Sequence, residues 1–138
     1  GEKAALDQLE WELNGDPLFY EHRHTPPVPI PSPHSESGSE QWIYYNSTKF
    51  SGKKLTVKAG RTMVMHDNGV YSLLVWRGEG SIEGLAVEGG NIGMDELLVV
   101  HERAVAGVRF ENQGREDMVV FKFFGPDINN EDVPFLNR

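Results

Sequence analysis

Residues 66–80 read HDNGVYSLLVWRGEG. The apolar run from Tyr71 to Trp76 is bounded by Asp67-Asn68-Gly69 on one side and Gly78-Glu79-Gly80 on the other. A short apolar run closed at both ends by such residues reads as a β-strand, because Gly, Asn and Asp supply the conformations that tight turns need. Outward from this strand the same pattern recurs. QWIYYN, KKLTVKA, RTMVMH, GSIEG, LAVEG, ELLVVH, GVRFEN and DMVVFKFF are short runs separated at Ser51-Gly52, Gly60, Gly84, Gly89-Gly90, Ala104–Gly107 and Gln113-Gly114. Regularly spaced strands of this length predict an all-β sandwich or barrel. No helical period separates them, which argues against parallel βαβ units.

The first 40 residues read differently. KAALDQLEWEL (3–13) predicts a short helix, with Leu6, Leu9 and Leu13 on one face and Asn14-Gly15 as its stop. Five prolines lie between positions 26 and 33; they favour an extended polyproline arm and cannot occupy a central strand. HSESGSE (34–40) reads as a polar linker. The expected organisation is a helix and proline-rich arm over 1–40, then one barrel domain over 41–138. Val133 to Phe135 is expected to dock back on the barrel. The chain opens on Gly1-Glu2, so it is also read as a piece of a longer protein.

A chain of 138 residues suits one domain. With 38% hydrophobic and 25% charged residues it is an ordinary globular composition. The formal net charge of −8 argues against nucleic acid and against an anionic membrane surface as partners. No apolar run approaches a membrane span, and a cytoplasmic location is expected. The absence of cysteine excludes disulfides, thiolate-held zinc and thiol catalysis.

Gly60–Gly80 and Asp95–Phe124 together resemble the cupin superfamily, the double-stranded β-helix or jelly-roll barrels. Gly60 is followed after five residues by His66, as in the first cupin motif. The second histidine position of that motif falls on Asn68 and its glutamate position on Tyr71. Asp95–Val100 resembles the strand of the second motif and Asn112-Gln113-Gly114 its closing turn, which puts the last histidine position near Val108. Glu102–Gly107 stands where the Pro-x-Gly turn would be. The endings VWRGEG and FKFFGPD are similar to sugar-phosphate-isomerase-like cupins, some of which carry such a domain as the second half of a two-barrel chain.

The resemblance implies a metal held by imidazoles and a carboxylate, yet only His66 keeps a ligand of the expected type. Asp67, Glu96, His101 and Glu102 are the nearby substitutes. Asp67 should face away from its neighbour His66, and His101 and Glu96 fall on opposite faces of one strand. His66, Asp67 and His101 stand as the candidate metal ligands against those directions, since turn geometry could rescue Asp67, with a strand-end histidine as the plainer reading of His66. No resident cofactor is expected, with a divalent ion left open. His22-Arg23-His24 has a ligand-like spacing but reads first as an exposed turn.

Strand alternation offers other pocket residues. Lys122 shares a face with Met118, Val120 and Phe124, and is either an edge lysine reaching solvent, the reading slightly favoured, or a buried cation that needs an anion. Tyr71 shares a face with Leu73 and Val75 and reads first as a core tyrosine with its hydroxyl at the rim. Glu96 reads first as a strand-start carboxylate facing water. Together His66, Tyr71, Glu96 and Lys122 could form a sugar-sized polar cluster. A metal-independent small-molecule-binding domain follows as the leading expectation, with a sugar or sugar phosphate as ligand. A metal-dependent isomerase of the phosphomannose-isomerase-like type, or an oxygenase, is the alternative, and a structural or dimerising module the third. A homodimer is expected.

Overall fold

A computed structural model describes residues 25–136. Ten strands run in chain order as β1 (Val28–Ile30), β2 (Gly38–Tyr44), β3 (Ser51–Val57), β4 (Thr62–Met65), β5 (Tyr71–Arg77), β6 (Glu79–Ile82), β7 (Leu85–Glu88), β8 (Glu96–Val99), β9 (Val108–Asn112) and β10 (Met118–Phe124). One short helix, α1 (His101–Ala106), falls between β8 and β9. The strands form a six-stranded sheet, β1-β2-β3-β10-β5-β8, and a four-stranded sheet, β4-β9-β6-β7. Every pairing is antiparallel. This is the all-β barrel that the turn pattern predicts, in the jelly-roll form that the resemblance implies. The helix expected over 3–13 and His22-Arg23-His24 lie outside the described residues.

Alternation places the core. In β10, Met118, Val120, Lys122 and Phe124 point inward, while Phe121 and Phe123 are half-buried on the other face. Leu55 and Val57 from β3, Leu73 and Val75 from β5, and Phe110 from β9 complete the apolar centre between the sheets. Each such side chain is removed from water almost entirely, which stabilises the fold by roughly 1.5–3 kcal/mol apiece before conformational entropy is counted. Asn112 closes β9: its Nδ2 donates to the carbonyls of Val57 and Glu116, and its Oδ1 accepts from the Gly114 amide. That side chain pins the expected closing turn to β3.

Two boundaries differ from the sequence reading. Val28–Ile30 is strand β1 on the edge of the larger sheet, paired with Glu40–Trp42. Proline is tolerated on an edge because the missing N–H then costs no ladder bond. The polar stretch 38–40 opens β2, with Gly38 and Glu40 buried. The other difference is α1, which replaces a loop. It ends at Gly107, whose φ of 115° lies in the region that favours glycine. A Cβ there would also crowd the His66 ring, at 2.9 Å from Cε1, at the end of β4.

A second apolar cluster flanks the first. Trp42, Tyr45 and Val133 are buried together, with Val28 and Ile30 against them. Val133 thus docks on the barrel as expected and the Pro134 carbonyl accepts from the Asn46 amide, while Phe135 of the expected docking segment is exposed. No helix among the described residues is long and apolar enough to cross a membrane.

Candidate functional site: an ionic network inside the barrel

The inward faces of β2, β3 and β10 each bring one charged group into the barrel: Glu40, Lys53 and Lys122. A fourth, Asp67, comes from the loop after β4, whose backbone is fixed by the Asp67 amide donating to the Ala104 carbonyl. Lys122 Nζ donates to Glu40 Oε2 at 2.7 Å and to Asp67 Oδ2 at 2.8 Å. Lys53 Nζ donates to Asp67 Oδ1 at 2.7 Å and lies 3.9 Å from Glu40 Oε1. The side chains of Lys122 and Asp67 are wholly buried, and those of Glu40 and Lys53 nearly so.

Aromatic rings enclose this network. Lys53 Nζ is 4.8 Å from the Trp42 ring centroid and 5.3 Å from that of Phe124. Lys122 Nζ is 5.3 Å from Tyr71 and 5.4 Å from Phe110. The network thus lies between the two apolar clusters. Burial alone would push the Lys122 ammonium toward neutrality, but Glu40 and Asp67 outweigh it and hold its pKa above the ordinary lysine range. Burial pushes the Tyr71 phenol up as well, against a partial offset from Lys122. The Tyr71 hydroxyl has no hydrogen-bond partner among the described residues.

The expected sites are redistributed. Lys122 is buried, which corrects the edge reading: β10 is a central strand of the larger sheet, not an edge. Tyr71 stands beside it, with its hydroxyl inside the core rather than at a rim. Glu96 and Leu98 share the exposed face of β8, and His66 is exposed. The four-residue polar cluster of His66, Tyr71, Glu96 and Lys122 is therefore not assembled. Asp67 does turn away from His66, into the barrel. His101 is exposed at the start of α1.

A divalent metal, the group the fold implies, does not fit these residues. Both Asp67 oxygens accept from lysine ammoniums, which repel a second cation. His66 donates from Nδ1 to the Val105 carbonyl at 3.1 Å, which leaves Nε2 as its one possible ligand atom. Asn68, Tyr71 and Val108 occupy the remaining motif positions, and among the described residues no three His, Asp or Glu side chains gather as a ligand set.

Beside the network a cleft of about 240 Å³ opens between the segment after β1 and the edge strand β4. Pro31, Glu40, Lys53, Val64, Met65 and His66 are among its walls. Two of the network residues were hidden from the sequence reading. Lys53 carried a signal, since it alternates with Leu55 and Val57. Glu40 carried a weaker one, its alternation with Trp42.

This architecture is the cupin fold. The capsular polysaccharide assembling protein CapF from Staphylococcus aureus aligns at 20% identity with a TM-score of 0.60, over 96% of this chain and 39% of its own. The E162A mutant of Bacillus subtilis oxalate decarboxylase, an enzyme with Mn(II) centres, aligns at 21% identity and a TM-score of 0.54, over 72% of this chain and 28% of its own. A Cupin_2 domain of an XRE family transcriptional regulator from Enterobacter cloacae aligns at 7% identity and a TM-score of 0.51, over 63% of this chain and 94% of its own. The chain spans well under half the length of the first two. No protein-family profile and no curated protein sequence matches it.

Proposed function

We propose that this chain is a metal-independent small-molecule-binding cupin domain that is not catalytic by itself. The observation that carries this reading is the Glu40–Lys53–Asp67–Lys122 network, which puts fixed charges in the barrel interior and borders a cleft. Buried charges are costly unless fully paired, and apolar side chains would fill the same space at lower risk. Their retention beside an accessible cleft fits recognition better than a purely structural barrel. The test is twofold. Elemental analysis of untagged protein, prepared without chelator, should find no stoichiometric metal even after incubation with manganese, iron, nickel or zinc. A thermal-shift screen of small metabolites should find at least one that raises Tm, and the rise should vanish when the cleft is filled by Val64→Trp. Stoichiometric metal lost on His66→Ala would overturn the reading in favour of a metalloenzyme.

Assembly is a second reading, with another copy of the chain as the partner. The outer face of the six-stranded sheet carries Trp76, 59% exposed, and Leu98, 69% exposed, and the aromatic rings of Tyr44, Phe50 and Phe123 pack along the same face. A sheet face of this kind can pack on its own copy about a two-fold axis.

A further inference from the structure

We infer that the cleft beside the network takes a neutral, hydroxyl-bearing ligand about the size of a single sugar ring or cyclic polyol, and not a phosphate or carboxylate. This rests on the small-molecule-binding reading above and narrows its chemistry. At the cleft floor Lys53 Nζ and Glu40 Oε1 stand 3.9 Å apart, too far for a direct hydrogen bond. One oxygen atom at ordinary hydrogen-bond distance reaches both. That oxygen must accept from the ammonium and donate to the carboxylate, which a hydroxyl group or a water does and an unprotonated carboxylate or phosphate oxygen does not. A ligand hydroxyl that displaces such a water keeps both bonds.

Charge points the same way. The network holds two ammoniums and two carboxylates, so it offers no net charge to an ion. An anion near Lys53 would meet Glu40, and a cation near Glu40 would meet Lys53. The ammonium of Lys53 makes one close bond, to Asp67, which leaves donor capacity toward the cleft. Pro31, Val64 and Met65 give apolar wall on which the C–H face of a ring can rest. The cleft volume of about 240 Å³ is below the roughly 300 Å³ at which pockets for drug-sized ligands begin, so one ring is the natural limit.

The experiment is isothermal titration of the whole chain with four probe sets: neutral monosaccharides and inositols, the corresponding sugar phosphates, inorganic phosphate, and small mono- and dicarboxylates. A neutral polyol should bind with an affinity that changes little between low and high salt. Glu40→Gln should weaken it roughly ten- to hundredfold, the loss of a hydrogen bond to a charged group. Glu40→Gln also touches the network, so Val64→Trp is the second variant: it blocks the cleft without altering any charge, and should abolish binding while circular dichroism and Tm stay close to wild type. Binding by phosphates or carboxylates only, weakening with salt, overturns this inference and leaves the binding reading standing. Binding by none of the four sets overturns this inference, and with the negative metabolite screen overturns that reading too. Polyol binding unchanged in Val64→Trp also overturns it, because the ligand then sits elsewhere.

Discussion

Lys53 and Lys122 are direct cross-strand partners in the β3–β10 ladder, with their side chains on the same inner face. Like charges in that relation destabilise a sheet. Here Asp67 lies between them, one carboxylate oxygen to each ammonium at 2.7 and 2.8 Å. The ladder register and the loop after β4 therefore depend on each other.

Asp67→Ala should be among the most damaging single changes in the barrel. It leaves two facing ammoniums with one carboxylate, and the expected cost is about 3–5 kcal/mol. Urea unfolding followed by circular dichroism reads it. Replacing Glu40, Lys53, Asp67 and Lys122 together by apolar residues of similar volume should cost far less than Asp67→Ala alone. A quadruple variant less stable than Asp67→Ala would show that the network contributes more than mutual compensation.

Tyr71→Phe should be neutral or stabilising. The hydroxyl is buried without a partner among the described residues, and a polar group in that state carries a penalty of about 1–3 kcal/mol. The ring contact with Phe124, at 5.2 Å between centroids, is retained by phenylalanine. The check is the urea midpoint at constant m-value. A clear loss of stability would mean that the hydroxyl has a bonded partner in solution.

Stability should fall at alkaline pH, beginning near pH 10. The folded-state pKa of Lys122 is raised, so its contribution is fully present below the unfolded value of about 10.4 and is lost as pH rises toward the folded value. Tyr71 acts with the same sign above its unfolded value of about 10, since the folded state keeps the phenol protonated. Unfolding free energies measured from pH 8 to pH 11 should slope downward at the upper end, and Tyr71→Phe should reduce that slope. A flat profile would contradict the burial of both groups.

Sedimentation velocity at several concentrations tests the assembly reading. The chain should sediment as a dimer, and the paired substitution Trp76→Glu with Leu98→Glu should return it to the monomer without changing the circular dichroism spectrum. Both residues are exposed on the outer face of the larger sheet and neither contacts the ionic network. A wild-type chain that stays monomeric at all concentrations would remove this reading.

The strands were legible because Gly, Asn and Pro mark their ends, and because inward and outward residues alternate through DMVVFKFF and YSLLVWR. The inward direction of Lys122 followed from that alternation; its burial did not, because sequence does not say that β10 is central. Glu40 was hidden by its setting in SESGSE, where local composition says linker and the β1–β2 ladder says strand. Lys53 stands beside Lys54 with nothing but alternation to tell the two apart, and only Lys54 faces outward. Asp67 stands among the candidate metal ligands although its adjacency to His66 turns it the other way. Its real partners come from strands 14 and 55 residues further from it in the chain, a separation that no local pattern encodes.

The four-membered network also limits how this barrel can change over generations. Converting Lys122 or Lys53 into a metal-binding histidine or glutamate would strand a carboxylate in the core, and converting Asp67 would strand a lysine. Each single step toward a metal centre thus passes through a destabilised intermediate, while drift at the cleft rim, at Val64 or Pro33, meets no such obstacle. Lineages carrying this arrangement should diversify in what they recognise long before they acquire a metal centre.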